Sequence, residues 1–221
     1  MNTSQVLLPS VVSAPLLDMQ AALAALHAAG VRTLHVDIED GHFVPVMNLG
    51  TRLIEHLRAD GRFTLDVHLM VSHPEVVIPW VVEAGAHAIS FHYEASAYPR
   101  RHLHMIRQHG LLAGLAFNPK MPLPTLDYLQ DCLDFVVILT TEPEEPDMPF
   151  LPQVLEKVRQ ARQWAVQHAP ALLIVVDGGV SAGNIAAVLA AGADRAVAGR
   201  AVFHGGRIAE NIAELQKAAN I

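Results

Sequence analysis

Two histidines and two aspartates stand in apolar runs of this 221-residue chain, where they could together bind a metal ion. His35 and Asp37 are two residues apart in one run, so they share a face of a strand. His68 stands near the end of a second run, and Asp177 ends a third. Buried carboxylates are costly unless their charge is compensated, and two imidazoles with two carboxylates suit one divalent ion: Zn, Fe, Mn or Co.

The two aspartates also predict acid–base chemistry. Asp37 and Asp177 belong to different strands, on different sides of the predicted site. One carboxylate could remove a proton beside a carbonyl while a positive charge stabilises the developing enediolate oxygen. The other could return a proton to the opposite face. Such a pair inverts a carbon centre, which indicates an epimerase.

These side chains need a scaffold that brings several strand ends together, and a recurring pattern predicts one. A helix-like stretch ends in a small residue and Gly, and an apolar, β-branched run follows. Because Gly accepts the left-handed conformation that closes a helix, each recurrence indicates helix, cap and strand. The predicted strands lie near 6–12, 31–38, 63–70, 87–92, 111–117, 134–140, 171–177 and 194–198. The predicted helices lie near 16–29, 51–58, 75–84, 99–109, 123–131, 151–168, 182–191 and 206–219.

Eight strand–helix units predict an α/β fold, a single-domain (β/α)8 TIM barrel over residues 1–221. The strands are mostly apolar on both faces, as in a parallel sheet covered by helices. A doubly wound open sheet is the alternative on pattern alone. In a barrel, active-site groups come from the carboxyl ends of the strands, where the four candidate ligands stand.

Composition argues against several other classes. No apolar run approaches the length of a membrane span, and residues 1–5 lack the basic region of a secretory signal. The single cysteine, Cys132, fits a reducing compartment. A net charge of −7 without a Lys/Arg cluster argues against nucleic acid. We therefore expect a soluble cytoplasmic protein with no membrane or nucleic-acid partner.

Five motifs occur in order: SVVSA over 10–14, HVDIEDGHFVP over 35–45, LDVHLM over 65–70, NP over 118–119 and VDGGV over 176–180. Together they resemble the ribulose-phosphate 3-epimerase family, from about residue 6 to 205. The resemblance implies a barrel that epimerises C3 of a ketose phosphate, namely ribulose 5-phosphate/xylulose 5-phosphate or a related sugar phosphate. It also implies the metal ligands and acid–base pair given above, and assembly as a homo-oligomer, a dimer or a hexamer.

The resemblance further implies a set of substrate-binding residues. They are Ser10, His68, Met70, Gly178, Gly179, Gly199 and Arg200. Ser10 and His68 would hydrogen-bond the sugar, and the glycines would offer backbone amides to the phosphate. Arg200 stands where the family commonly has serine. Because arginine binds phosphate in bidentate fashion, Arg200 would either bind the phosphate or pair with a nearby acidic loop.

The chain departs from the family after strand six. Family members usually carry a glycine-rich phosphate-binding loop there, whereas residues 141–150 have no glycine, three prolines and four carboxylates. Prolines lack an N–H donor, and carboxylates repel a dianion. Either this loop is solvated and never approaches the ligand, or specificity for the distal end of the substrate is altered.

Two further positions differ from the family. Glu39 and Leu139 stand where methionine is usual, and Glu39 also stands where related decarboxylating or condensing barrels carry lysine. The leading hypothesis is an active 3-epimerase of a ketose phosphate. The alternatives are a non-catalytic sugar-binding or regulatory barrel and an epimerase of an unphosphorylated ketose.

Overall fold

In the computed structural model, which describes residues 5–143 and 149–221, an α-helix follows seven of the eight strands. The strands are β1 (Leu7–Pro9), β2 (Thr33–Glu39), β3 (Thr64–Met70), β4 (Ala88–His92), β5 (Leu112–Phe117), β6 (Phe135–Leu139), β7 (Leu173–Asp177) and β8 (Arg195–Ala198). The helices are α1 (Met19–Ala28), α2 (Thr51–Asp60), α3 (Pro74–Ala84), α4 (Pro99–Arg107), α5 (Leu155–His168), α6 (Ile185–Ala190), α7 (Arg200–Phe203) and α8 (Ile208–Ala219). Among these, no helix combines the length and apolar character that a membrane crossing requires.

The strands form one parallel sheet in the order β1-β8-β7-β6-β5-β4-β3-β2. The remaining seam, between β1 and β2, carries a parallel bridge between Ser10 and His35. Towards the amino-terminal end of this seam, the Gln5 side chain replaces some of the backbone hydrogen bonds that would join the two strands. Its Nε2 donates to the carbonyls of Leu7 and Thr33, and its Oε1 accepts the N–H groups of Arg32 and Thr33. The predicted (β/α)8 barrel is therefore confirmed, and the open-sheet alternative is wrong.

Two apolar layers support the barrel. Alternate strand residues point inward, and the apolar ones form an inner cluster with Val44 from the segment after β2. Its strand members are Leu8, Met70, Ala88, Ala116, Phe135, Val137, Leu139, Val175 and Val197. A larger cluster lies between the strands and the helices. Inside, the Phe135 ring occupies the space that a side chain on Gly114 would need, because a Cβ there would lie 2.5 Å from the ring. The Phe135 ring thus fills this part of the barrel interior.

The helix predicted over 123–131 is wrong. Only a single 3₁₀ turn, Asp127–Leu129, forms there. Pro122 and Pro124 remove N–H donors and hold their neighbours extended, which leaves too few residues for a helix. Leu126 and Leu129 are nonetheless fully buried, so their helical spacing reflects packing without a helix.

Several element ends also differ from the prediction. β1 ends at Pro9, and a 3₁₀ turn, Val11–Ser13, follows. The helix predicted from residue 16 begins at Met19 after a 3₁₀ turn over Leu16–Asp18. These differences fall at the ends of elements, where caps and single turns decide the boundary.

Candidate active site and metal centre

The structure brings the four predicted metal ligands together at the carboxyl end of the barrel. His35 and Asp37 point inward from β2, His68 comes from β3, and Asp177 ends β7. Asp37 and His68 are register partners on adjacent strands. One nitrogen or oxygen from each of the four side chains lies within 4.8 Å of all the others.

The facing atoms are close but are not hydrogen-bonded. Asp37 Oδ1 lies 3.2 Å from His35 Nε2 and 3.3 Å from His68 Nδ1. Asp177 Oδ2 lies 3.8 Å and 3.7 Å from the same two nitrogens. His35 Nε2, Asp37 Oδ1 and His68 Nδ1 are buried and have no hydrogen-bond partner among the described residues. Because leaving buried polar atoms unsatisfied is costly, this donor set fits a divalent cation bound between them.

The electrostatics favour positive charge at this point. Burial opposes the charged form of His35, but Asp37 and Asp66 outweigh it and raise the pKa of His35 well above its usual value. Burial also opposes the charged form of His68, yet Asp177 and Asp37 raise its pKa. Despite its burial, Asp37 has a lowered pKa because of the two imidazoles. A divalent cation would supply this positive charge in place of the imidazole protons.

Two hydrogen bonds orient the residues on β2. Asp66 Oδ2 lies 2.9 Å from His35 Nδ1, so a proton on Nδ1 leaves the Nε2 lone pair facing the cluster. The Ser10 hydroxyl donates to Asp37 Oδ2 over 2.6 Å. Sequence reasoning assigned Asp66 no role, although its position two residues before His68 places it on the same face of β3.

His68 also has a partner on its far side that sequence reasoning missed. His68 Nε2 lies 3.0 Å from His92 Nε2, and His92 Nδ1 lies 3.6 Å from Glu94 Oε2. Burial lowers the pKa of His92 to about 4. The available signal was that His92 ends an apolar strand, as the other site residues do.

An open cavity of about 590 Å³ reaches the cluster from outside the barrel. Its walls include six of the seven predicted substrate-binding residues: Ser10, Met70, Gly178, Gly179, Gly199 and Arg200. The seventh, His68, is fully buried and is not among the lining residues. Sequence reasoning gave no binding role to four other polar lining residues: Ser13, Thr141, Ser181 and His204.

One end of the cavity is built from backbone turns. Gly178 and Gly179 have φ values of +104° and +67°, which favour glycine. A Cβ on Gly178 would lie 2.6 Å from the Thr141 side chain, so no larger residue fits. Thr140 fixes this turn, because its hydroxyl donates to the carbonyls of Asp177 and Gly178. These contacts hold the Gly178–Gly179 turn in place at the wall of the cavity.

Two charged residues that differ from the family pattern lie at the cavity. Arg200 lines it from the start of α7, and Glu142 lines it from the segment after β6. That Glu142 lines the cavity favours altered specificity over the interpretation in which the acidic loop never approaches the ligand, and both stay predictions; residues 144–148 lie outside the described residues. Glu39 is buried opposite Met70 and is not among the lining residues.

Comparison with known proteins agrees with this geometry. The model of the ribulose-phosphate 3 epimerase family matches residues 6–203. The chain belongs to this family. Ribulose-phosphate 3-epimerase 1 of Cupriavidus necator is 42% identical over 201 residues, which cover 89% of this chain and 83% of that relative. Ribulose-phosphate 3-epimerase of Escherichia coli K12 is 39% identical over 196 residues, covering 88% and 87%.

Solved structures resemble this family member in fold. The 3-keto-L-gulonate-6-phosphate decarboxylase from Vibrio cholerae matches with a TM-score of 0.70 at 14% identity, covering 98% of this chain and 97% of that one. A 3-hexulose-6-phosphate synthase matches with a TM-score of 0.61 at 20% identity, covering 97% of each. At these identities the likeness shows the barrel alone.

Proposed function

We propose that this protein is a metal-dependent 3-epimerase of a ketose phosphate, either ribulose 5-phosphate/xylulose 5-phosphate or a close relative. One observation carries the proposal: Asp37 and Asp177 both line the cavity while they share a cluster with two buried imidazoles. A binding protein without catalysis has no chemical need for two acid–base carboxylates from different strands of its pocket, and the family membership of the chain points the same way.

The cluster would hold the metal. His35, Asp37, His68 and Asp177 are the ligands that we assign to one Zn, Fe, Mn or Co ion, because three of their facing atoms are buried without partners among the described residues. When bound, such an ion stabilises the negative charge that develops on the substrate oxygen during proton removal.

The two aspartates would move the proton. In one direction Asp37 removes the C3 proton and Asp177 delivers a proton to the other face; in the reverse direction their roles exchange. Asp37 Oδ1 faces the imidazoles, so Oδ2, which accepts the Ser10 hydroxyl, is the oxygen available for the proton. Asp177 is the more open carboxylate, with a side chain 19% exposed against 7% for Asp37.

The distal end of the cavity would bind the phosphate. Gly178, Gly179 and Gly199 can present backbone amides, and the Arg200 guanidinium can bind two phosphate oxygens. Glu142 lines the same cavity and favours a second candidate, an epimerase of an unphosphorylated ketose, because a carboxylate accepts hydrogen bonds from sugar hydroxyls and repels phosphate. Comparing the rates on the phosphorylated and free sugars separates the two candidates.

The test is an epimerase assay combined with solvent deuterium incorporation at C3 and a measurement of bound metal. We expect Asp37→Asn and Asp177→Asn to lose activity, because each removes one of the two proton carriers. Asp18→Asn, on an exposed residue, is the matched control. Full activity in both site variants would eliminate the two-aspartate mechanism. The dimer or hexamer expected from the family stays a prediction, which light scattering of the purified protein would check.

A further inference from the structure

We propose that His92 and Glu94 are positioning residues that fix the tautomer of His68 so that its Nδ1 stays available to the metal. The inference rests on the proposed function, because it takes His68 as a metal ligand. It extends the site by two residues that never reach the cavity wall.

The argument begins with the two nitrogens of His68. Nδ1 faces the cluster, 3.3 Å from Asp37 Oδ1 and 3.7 Å from Asp177 Oδ2. A neutral imidazole that offers the Nδ1 lone pair to a cation carries its proton on Nε2. His68 is fully buried, so water does not supply a partner for that proton.

The partner is His92. Its Nε2 lies 3.0 Å from His68 Nε2, and the two rings are inclined by only 25°, which allows an in-plane hydrogen bond. Two nitrogens at this distance hold one proton between them. If His68 donates it, His92 Nε2 is the acceptor, and the proton of His92 lies on Nδ1.

Glu94 is positioned to favour that arrangement. Its Oε2 lies 3.6 Å from His92 Nδ1, longer than a hydrogen bond, but both atoms are buried without another partner among the residues that the structure describes. Its other oxygen, Oε1, accepts the backbone N–H of Asn118 at 3.0 Å. Both carboxylate oxygens therefore face donors.

The Asn118 backbone is itself held in place. The Lys157 ammonium, on α5, donates to the carbonyl of Asn118 at 2.7 Å and to that of Pro119 at 3.2 Å. The Asn118-Pro119 motif thus has a structural role, because its backbone fixes the Glu94 carboxylate, which directs the two imidazoles.

This arrangement makes Glu94→Gln a sharp test. Glutamine has one acceptor oxygen and one donor amide, so it cannot accept from both Asn118 and His92. When its amide faces His92, the proton of His92 moves to Nε2 and opposes the Nε2 proton of His68. His68 is then driven to carry its proton on Nδ1, the atom that the metal needs.

The experiment measures metal affinity by chelator competition, with Zn²⁺ and Co²⁺ as probes, and the Co²⁺ absorption spectrum. We expect Glu94→Gln and His92→Leu to weaken metal binding about 10- to 100-fold and to change the Co²⁺ bands. His92→Gln can accept from His68 and donate to Glu94, so it should recover most of the affinity. Glu83→Gln, exposed on α3, is the matched control and should bind as wild type does.

Unchanged affinity and spectrum in Glu94→Gln would overturn the inference. If that variant does not fold, as judged by circular dichroism, equal affinities of His92→Leu and His92→Gln overturn it instead. Metal binding by a wild-type protein that lacks epimerase activity would refute the proposed function, and the affinity comparison would still decide the role of His92 and Glu94.

Discussion

Ser10 directly follows β1 and Asp37 lies on β2, the two strands that join at the seam of the barrel, and the Ser10 hydroxyl donates to Asp37 Oδ2 over 2.6 Å. The backbone of the same serine forms the bridge to His35. One residue therefore contributes both to the closure of the barrel and to the orientation of a proposed proton carrier.

Ser10→Ala should slow catalysis more than it weakens metal binding, because Asp37 keeps its oxygen towards the imidazoles but loses the bond that fixes the other one. A hydrogen bond to a charged group contributes about 1.5–3 kcal/mol, so we expect kcat to fall about 10- to 100-fold. Steady-state kinetics and metal content measure the two effects. Ser96→Ala, whose hydroxyl contacts His102 outside the cavity, is the control. Equal loss of activity in both variants would contradict the assignment.

Metal affinity should rise with pH. The pKa values of His35 and His68 are raised by the neighbouring carboxylates despite burial, so a cation must displace protons from both rings. Titration calorimetry between about pH 6 and pH 8 should show tighter binding at the higher pH and a larger release of protons at the lower pH, where the rings are still protonated. In the metal-free protein, the free energy of unfolding depends on pH in the opposite direction. Raised folded-state pKa values stabilise below about pH 6.5, and this stability is lost as the pH rises through them. An affinity independent of pH would count against metal binding by these imidazoles.

His87 should make the protein sensitive to mild acid. Its Nδ1 accepts the Leu65 N–H at 3.0 Å, and burial together with Arg58 lowers its pKa. A lowered folded-state pKa gives stability that is present above the unfolded value of about 6.5 and is lost as the pH falls through the folded pKa. Urea unfolding at a series of pH values should therefore show that the free energy of unfolding falls less on acidification in His87→Gln than in wild type. Parallel pH profiles would show that His87 does not titrate in this way.

Gln5→Ala should destabilise the barrel without touching the cavity. The variant leaves backbone groups of Leu7, Arg32 and Thr33 without the partners that Gln5 provides. An unsatisfied buried polar group costs about 1–3 kcal/mol, and we expect a loss in the free energy of unfolding of about that size. Urea denaturation measures it, with Gln20→Ala on the exposed face of α1 as the control. If Gln5→Ala is as stable as the control, the hydrogen bonds of Gln5 do not contribute to the stability of this seam.

Arg200→Ser should raise KM for a phosphorylated ketose about 10-fold or more and leave the rate on the free sugar unchanged, because the guanidinium is lost from the distal end of the cavity. Glu142→Gln removes a negative charge from the same cavity and should lower that KM. Opposite shifts in the two variants would support a phosphate there. If Arg200→Ser changes neither the KM for the phosphorylated ketose nor the KM for the free sugar, the unphosphorylated substrate becomes the better candidate.

The sequence was enough to predict the barrel and the gathering of the four cluster residues. His35, Asp37, His68 and Asp177 could be found because strand periodicity fixes the face on which each lies, and parallel strands end at one rim. The helix over 123–131 was predicted wrongly because buried leucines at helical spacing also occur in a proline-rich turn.

For the supporting residues, periodicity gives the face on which each lies but not its role. Asp66 and His92 act through contacts between strands, and these depend on the register and on ring orientation, which periodicity does not give. The contact of Lys157 with the Asn118 carbonyl joins a helix to a loop 39 residues away, and no local pattern predicts it. The reach of Glu142 into the cavity likewise depends on the path of an irregular segment.

The pairing of β1 with β8 closes the barrel through a contact between distant parts of the sequence. Leu7 is the register partner of Ala196, so the first strand has its main neighbour only near the end of the chain. Such a distant contact is slow to form, and during synthesis on the ribosome it must wait for the last units. Ser10 and Gly199 can line the same cavity only after this pairing has formed, so the pocket is complete only when the ring is closed.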